Sequence, residues 1–356
     1  MEVISETEPN MNPIVSFKRR IRRFLYGMVR EYVLEDVRSA MRKHAKRQFD
    51  PEATAVLKRF SHLLRGHGIN RERVETEISL SSARCGTAEG SGIVVSLTSY
   101  PKRIYDIHLS LQSLLMQTLR PEKIVLWLGE ELFPRHEADV PKKTLDLRSR
   151  GLEIRFTHDC RAFTKLLPAL AAFPEKTIVT ADDDIYYDPD WLERLVAAAK
   201  QDPRAVWAIR AQKIGVQGDV IQDCLKWRTM TEGSMPRYDN FLTGVGGVLY
   251  PPHSLAMPLC ADERLFMSLA PLNDDVWFWA MAVMNGTGVG VADGFPGYLT
   301  YVNKPREYGF NDDGRLYAVN KGENMHNIQF AAVLEHFPEL REKLMGEIRS
   351  ATIAHS

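Results

Sequence analysis

Short apolar runs alternate with amphipathic stretches between residue 92 and about residue 210. The apolar runs are rich in Val and Ile, which is typical of buried strands. We predict strands at 93–98, 124–128, 152–156, 177–181 and 206–210. Between them, apolar residues recur at helical spacing and predict helices at about 107–115, 163–173 and from 191 onward. Strands that alternate with helices predict an α/β fold with a mostly parallel sheet and helices on both faces.

The alternation ends after about residue 211. Residues 212–240 are polar and contain glycine, and we predict a long excursion near the functional site. The run at 241–250 carries three glycines and predicts a strand or a bulge, in which the glycines either pack tightly or let a ligand approach the backbone. An apolar helix through Met284, a strand at 289–292 and a last helix from about His326 follow.

The first 91 residues differ from the rest of the chain. Residues 1–12 are predicted to be disordered, residues 13–49 to form a basic amphipathic helix, and a second helix to follow before a linker at 69–91. The chain therefore divides into an N-terminal helical extension at 1–91, a main domain at 92–335 and a C-terminal helical tail at 336–356.

Charge and composition indicate which kinds of binding partner to expect. The 356 residues include 46 Lys and Arg and 46 Asp and Glu, so a general nucleic-acid-binding surface is not expected. Residues 17–47 nevertheless contain eleven basic and three acidic residues, a formal charge of +8. A basic amphipathic helix of this kind either binds an anionic membrane surface or packs against protein, and both hypotheses stay open.

The spacing of the cysteines and the hydropathy of the chain indicate in which cellular compartment the protein is expected. The four cysteines lie far apart without a CxxC pair, which indicates reduced thiols rather than a disulfide framework or a zinc site. No apolar run approaches the length of a membrane span, and the acidic, polar start lacks a signal-peptide core. We therefore expect a cytoplasmic protein, or one held peripherally on the inner face of the membrane.

The predicted strand at 177–181 ends in three consecutive carboxylates, Asp182, Asp183 and Asp184. Open α/β sheets bind ligands at the carboxyl ends of their strands, and crowded like charges require a compensating cation or hydrogen bonds. Asp182 and Asp184 could reach one hard metal ion, while Asp183 is expected to turn away. A solvated, helix-capping turn is the alternative. A calcium loop of EF-hand type fits badly, because the required glycine is missing.

Four segments together carry a resemblance to a known family. They are the strand and loop at 93–103, residues 164–170, residues 182–185 and residues 273–275. Residues 92 to about 330 resemble GT-A-fold glycosyltransferases, close to the bacterial family-2-like enzymes that use nucleotide sugars. The resemblance implies a GT-A-like catalytic domain, with a mostly parallel twisted sheet flanked by helices. It also implies Mn²⁺ or Mg²⁺ held by Asp182 and Asp184 against the donor diphosphate.

The same resemblance implies roles for further residues. The implied donor-binding residues are Thr98, Tyr100, Arg103, Asp159, Lys165, Asp182 and Asp183. Asp275 is implied as the general base, with Asp274 as the helix cap or the second candidate, although the family more often has Glu-Asp here. Both acids could instead serve only the helix dipole. His326 is implied as a third metal ligand, and the alternative is a packed histidine. Lys165 could be a solvated helix lysine, and Asp159 could cap the following helix.

The function that follows is a metal-dependent transfer of a sugar from a nucleotide-sugar donor to a glycan or lipid-linked acceptor, as in cell-surface polysaccharide synthesis. One alternative is an Mg²⁺-dependent phosphohydrolase or phosphotransferase, although the residues after Asp182 do not match the Asp-x-Asp-x-Thr pattern of a haloacid-dehalogenase-like site. The other alternative is a non-catalytic sugar-binding scaffold.

Overall fold

The computed structural model describes residues 86–230, 232–294, 299–303 and 324–353. The predicted disordered start, basic helices and most of the linker of the N-terminal extension lie outside these residues. The described residues form a mixed α/β structure around a central sheet. This confirms the predicted α/β class and the mostly parallel, helix-flanked sheet that the GT-A resemblance implies.

Eight strands form the central sheet, and their bounds are β1 Ile93–Ser99, β2 Lys123–Gly129, β3 Leu152–Thr157, β4 Thr177–Thr180, β5 Val206–Ala208, β10 Ser234–Arg237, β12 Val248–Tyr250 and β13 Val289–Val291. Their order across the sheet is β10-β13-β5-β12-β4-β1-β2-β3. β1 pairs in parallel with β2 and β4, β2 with β3, and β5 with β13. The predicted strands are therefore present, although the one expected at 206–210 already ends at Ala208.

One antiparallel strand interrupts the parallel order. β12 lies between β4 and β5, and Val248, its first residue, pairs with Thr180, the last residue of β4. The loop that precedes β12 therefore lies at the carboxyl ends of the parallel strands. This topology brings residues 243–247 next to the acidic triplet that follows β4.

The predicted excursion at 212–240 is built from short strands. They are β6 Ala211–Lys213, β7 Val216–Gln217, β8 Val220–Ile221, β9 Arg228–Thr229 and β11 Asn240–Leu242. β11, β6 and β9 form a small separate sheet, and β7 pairs with β8. The run at 241–250 is therefore neither one strand nor a bulge. It contributes to two sheets, because its glycines form a turn between β11 and β12.

Helices cover the sheet. The described helices are α1 Ile107–Leu115, α2 Lys142–Leu145, α3 Leu167–Ala172, α4 Trp191–Ala199, α5 Glu263–Leu269, α6 Asp274–Met284, α7 Met325–His336 and α8 Pro338–Ile353. The helix predicted at 163–173 begins instead with a 3-10 segment at Arg161–Lys165. Pro168, which lacks an N–H, stands in the first turn of α3, so the regular helix begins only there.

Two hydrophobic clusters lie on opposite faces of the sheet, because alternate residues of a strand point to opposite sides. Val94 belongs to one cluster, whereas Val95 and Leu97 belong to the other. α6 is apolar nearly all round and almost completely buried, which is typical of a core helix. Among the described helices, none combines the length and apolar character needed to cross a membrane.

Candidate active site

The acidic triplet lies in a turn directly after β4 and is bound to β1 and the loop that follows it. The Asp183 carboxylate accepts hydrogen bonds from Ser99 Oγ at 2.6 Å and from Arg103 Nη1 at 3.0 Å. The same Nη1 atom donates to Asp184 Oδ2 at 2.6 Å. Asp183 therefore does not turn away from Asp184. Side chains alternate in direction only along an extended strand. This expectation fails here because β4 ends at Thr180 and the triplet lies beyond it.

Asp182 belongs to a second charged group, centred on Lys165. The Lys165 Nζ atom lies 3.0 Å from Asp274 Oδ2 and 3.8 Å from Asp182 Oδ1. The backbone at Lys165 is held against β1, because its carbonyl oxygen accepts a hydrogen bond from Ser96 Oγ at 2.6 Å. Only 13% of the Lys165 side chain is exposed, so it is a buried ion-pair partner and not a solvated helix lysine.

The glycine loop before β12 supplies two backbone donors to this group. Gly244 N donates to Asp275 Oδ1 at 2.8 Å, and Gly246 N donates to Asp182 Oδ2 at 3.0 Å. A Cβ atom on Gly244 would lie 2.6 Å from Asp275 Oδ1 and 2.9 Å from Lys165 Nζ. The glycine at 244 therefore lets charged side chains of the protein itself reach the backbone.

For any reaction at this site, we expect Gly244→Ala to reduce turnover about 10-fold or more while the chain still folds. The added methyl group displaces Asp275 and Lys165, and small misplacements of reacting groups have large effects on rate. Gly346→Ala is the matched control, because nothing lies within 4 Å of a Cβ there. Steady-state rates and melting temperatures of both variants test this. Wild-type turnover in Gly244→Ala would show that the close approach is not needed.

The helix α6 brings Asp274 and Asp275 to the site. Asn273 caps this helix, because its Oδ1 atom accepts a hydrogen bond from Val276 N at 3.3 Å. The prediction that Asp274 is the cap is therefore wrong, and both acids lie in the first helical turn. Asp274 contacts Lys165, and Asp275 accepts a hydrogen bond from the glycine loop.

Burial and charge shift the pKa values of this group. Burial, reinforced by the neighbouring Asp274 charge, raises the pKa of Asp275 to about 7, although Lys165 and the Gly244 N–H oppose the shift. Burial also raises the pKa of Asp182, against the effects of Lys165 and Gly246. Burial lowers the pKa of Lys165, but the charges of Asp274, Asp182 and Asp275 outweigh it and the net shift is upward. Lys165 is therefore a permanent cation at neutral pH, and Asp275 can exchange a proton.

His326 lies beside the cap of α6 and packs among aromatic rings. Its Nδ1 atom is 3.0 Å from Asn273 Nδ2, and its ring contacts Trp227 and Phe241 edge-on. Because Asn273 Oδ1 accepts from Val276 N, the amide NH₂ group must donate to Nδ1, and the neutral ring then carries its proton on Nε2. Burial lowers the pKa of His326 to about 4. Metal ligation by His326 stays a prediction that requires the other tautomer.

The remaining predicted donor-binding residues have local partners. Asp159 Oδ1 accepts a hydrogen bond at 3.0 Å from the backbone N–H of Arg161, the first residue of the 3-10 segment that follows β3. Thr98 Oγ1 donates to the carbonyl oxygen of Trp127 on β2 at 2.9 Å. Tyr100 is 38% exposed, and the Arg103 guanidinium lies 5.6 Å from its ring centre. Tyr100 thus forms an accessible edge of the site next to Arg103, whose side chain is only 17% exposed.

The donor set suits a hard divalent cation. Five carboxylates, at Asp182, Asp183, Asp184, Asp274 and Asp275, face two cations, at Arg103 and Lys165. If every acid is ionised, the site has three surplus negative charges, and carboxylate oxygens are the ligands that Mg²⁺ and Mn²⁺ prefer. The residues that would hold the ion are Asp182 and Asp184. In the structure Arg103 supplies the positive charge next to Asp184.

Sequence reasoning missed several polar partners of the site. Ser99, at the end of β1, binds Asp183, and the Tyr187 hydroxyl accepts a hydrogen bond from Asp182 N at 2.6 Å. The position of Ser99 at the carboxyl end of a predicted strand was an available signal for it. The backbone N–H groups of Gly244 and Gly246 could not be predicted from side-chain chemistry. Only the three glycines of the run at 241–250 indicated that this loop is unusual.

No protein-family model and no curated protein matches this chain. Solved structures of similar fold include S. aureus TarS 1–349, with a TM-score of 0.37 and 15% identity, over 69% of this chain and 72% of that chain. TarS 1–349 in complex with UDP-GlcNAc has a TM-score of 0.36 and 16% identity, over 56% of each chain. The inositol-1-phosphate CTP transferase from T. maritima has a TM-score of 0.36 and 15% identity, over 56% of this chain and 84% of that chain. These similarities concern the fold, and the function is inferred from the site itself.

Proposed function

We propose that this chain is a metal-dependent glycosyltransferase that moves a sugar from a nucleotide-sugar donor to a glycan or lipid-linked acceptor. The observation that carries the proposal is the convergence of Asp182, Lys165 and Asp275 at the carboxyl edge of the sheet, beside Arg103 and Asp184. This edge is where open α/β sheets bind ligands. The group combines acids for a cation, a fixed positive charge and one acid that titrates near neutrality.

The side chains of the site have distinct chemical roles in the proposed reaction. Cleavage of a nucleotide sugar at its anomeric carbon expels a diphosphate, whose negative charge must be stabilised. Lys165 and Arg103 supply fixed positive charge for the diphosphate, and a divalent cation held by Asp182 and Asp184 would supply more. Asp275 removes the proton from the acceptor hydroxyl, since a base with a pKa near 7 is both ionised and sufficiently basic at neutral pH.

The experiment that tests this function is a donor panel. The full chain is incubated with individual nucleotide sugars, with Mn²⁺, Mg²⁺ or EDTA, and donor hydrolysis and melting temperature are recorded. A transferase is expected to hydrolyse one donor slowly and to gain melting temperature with that donor and the metal together. Hydrolysis of simple phosphate esters instead would favour a phosphohydrolase. A melting shift without turnover would favour a sugar-binding scaffold.

We also propose that residues 17–47, outside the described part of the chain, hold the enzyme at an anionic membrane surface. Their formal charge is +8, and each basic residue near an anionic leaflet contributes about 1 kcal/mol. The full chain is expected to float with anionic liposomes at low salt and to be released by high salt. A chain beginning at Ser91 is expected not to float.

The matched control keeps the full length and removes only charge. In this variant Gln replaces Lys18, Arg19, Arg20, Arg22 and Arg23, so the apolar residues of the predicted helix are retained. We expect the variant to lose binding to anionic vesicles. Equal flotation of the full chain and the shortened chain, or flotation of neither, would assign the segment to packing or oligomerisation.

A further inference from the structure

A second group of potential ligands lies outside the acidic site. His158 and Cys160 follow β3, and Glu263 is the first residue of α5. One ligand atom from each of these residues lies within 4.8 Å of the other two. Among the described residues, no other group of three or more His, Cys, Asp or Glu side chains brings its ligand atoms this close together. The carboxylates of the acidic triplet are not gathered in this way, since they are divided between Arg103 and Lys165.

A fourth residue fixes the orientation of the histidine. Glu131 Oε1 lies 2.5 Å from His158 Nδ1, and Glu131 Oε2 accepts a hydrogen bond from Asp159 N at 3.0 Å. A carboxylate can only accept, so Nδ1 carries a proton and Nε2 faces Glu263 Oε1 at 3.0 Å. Histidines that bind metal commonly donate one ring N–H to a carboxylate and coordinate through the other nitrogen.

The contact between His158 Nε2 and the Glu263 carboxylate shows that the nitrogen does not present a free lone pair to it. A ring nitrogen with a free lone pair would repel the carboxylate at 3.0 Å, so either a proton or a cation lies between them. The Cys160 thiol lies on the same side, near the Glu263 carboxylate. Nitrogen, sulfur and oxygen donors therefore converge on one point.

We propose that His158, Cys160 and Glu263 bind a zinc ion, with Glu131 orienting the imidazole ring. Zinc takes Cys, His and carboxylate ligands together, whereas magnesium and calcium take oxygen ligands. His158 is 60% exposed and Glu263 45% exposed, so solvent can supply the fourth ligand. The absence of a CxxC pair excluded a cysteine-rich zinc site, but a site with a single cysteine assembled from distant segments leaves no such pattern in the sequence.

Binding exchanges protons for the metal. The Cys160 S–H bond breaks and a Zn–S bond forms, with the proton released to solvent. The proton on His158 Nε2 is released in the same way when the Zn–N bond forms. Burial raises the pKa of Cys160 to about 11, so the thiol is protonated in the metal-free protein and deprotonates on coordination.

The site would connect two distant parts of the chain. His158 and Cys160 flank Asp159, whose carboxylate accepts a hydrogen bond from Arg161 N at the start of the 3-10 segment that ends at Lys165. Glu263 begins the helix that precedes α6. A bound zinc ion would therefore link the segment after β3 to α5 without using any ligand of the acidic site. The inference is independent of the proposed transferase activity.

Cobalt is the probe for the test, because Co²⁺ occupies zinc sites and reports a bound thiolate by its colour. The full, reduced chain is titrated with Co²⁺, and the near-ultraviolet and visible absorption are recorded. We expect a sulfur-to-cobalt charge-transfer band whose final intensity corresponds to one thiolate-bound ion per chain and that disappears when Zn²⁺ is added. Oxygen ligands alone give no such band, so cobalt bound at the acidic site does not interfere.

Four variants make the assignment specific. Cys160→Ser is expected to remove the charge-transfer band, and His158→Gln, at an exposed position, to weaken cobalt binding at least 10-fold. Glu131→Gln is expected to weaken binding about 10- to 100-fold, as loss of an outer-shell carboxylate does. Asp184→Asn is expected to leave the band unchanged. No band with Co²⁺ at millimolar concentration, or a band that persists in Cys160→Ser, would overturn the proposal.

Discussion

Asp184→Asn is expected to lower the proposed divalent-cation-dependent sugar transfer about 10²- to 10³-fold, since a metal ion stabilises the leaving group by several kcal/mol and each 1.4 kcal/mol is tenfold in rate. The substitution keeps the shape of the side chain and removes the anionic oxygen that would face the cation. The Arg103 guanidinium keeps Asp183 as a partner at 3.0 Å. The fold is therefore expected to survive, and the measurements are transfer rates and melting temperatures across a Mn²⁺ titration.

Asp188→Asn is the matched control. It removes the same charge four residues away, from a side chain that is 56% exposed and that contacts Arg194 at 3.5 Å. Full activity and an unchanged Mn²⁺ requirement are expected for this variant. If Asp184→Asn behaved in the same way, Asp184 would not be a metal ligand, and the metal-dependent reading of the acidic triplet would fail with it.

The strands could be predicted from the sequence because burial on both faces requires continuous apolar runs. The runs before Ser99 and before Asp182 each end in polar residues, and so their carboxyl ends could be located. Parallel strands end at the same edge, which placed the acidic triplet at the functional side of the sheet. These inferences needed only local patterns, and the structure confirms the strands.

The arrangement within the site could not be predicted, because it depends on contacts between distant segments. Asp183 was expected to point away from Asp184, but Arg103, eighty residues earlier, binds both carboxylates. The run at 241–250 predicts a strand or a bulge. Its division between two sheets follows from the antiparallel position of β12 beside β4, which no local pattern records.

The capping residue of α6 also could not be predicted from the sequence, although its three candidates are adjacent residues. Asn273, Asp274 and Asp275 are all good capping residues, and sequence alone does not decide among them. Lys165 decides, because its ion pair with Asp274 directs that carboxylate into the site. Asn273 then remains for the cap, and its amide group also contacts His326 at 3.0 Å.

Asp275→Asn is expected to lower turnover about 10²-fold or more, which is the usual contribution of a general base. Asparagine keeps an acceptor oxygen for the Gly244 N–H, which lies 2.8 Å from Asp275 Oδ1, so the position of the side chain is expected to be retained. Nucleotide-sugar affinity is expected to be nearly unchanged, because the ion pair between Lys165 and Asp274 is not altered. Turnover and donor affinity measured separately therefore distinguish a base from a binding residue.

The pH dependence supplies a second readout. The base must be ionised, so wild-type kcat/KM is expected to rise as pH increases through about 7, the pKa of Asp275. Asp275→Asn is expected to lose this rise. Stability moves in the opposite direction, because burial raises the pKa of Asp275 above its unfolded value and the fold favours the protonated acid. This stabilisation is present at low pH and is lost as pH rises to about 7.

The two pH effects separate catalysis from folding. Between pH 4 and pH 8 the melting temperature of wild type is expected to fall relative to that of Asp275→Asn, since asparagine has no charge to bury. A variant that was merely misfolded would instead be less stable at every pH. Loss of donor binding in Asp275→Asn would place the residue on the donor side of the site. A product with retained anomeric configuration would remove the need for a base at this position, and Asp275 would then serve only to organise Lys165 and the glycine loop.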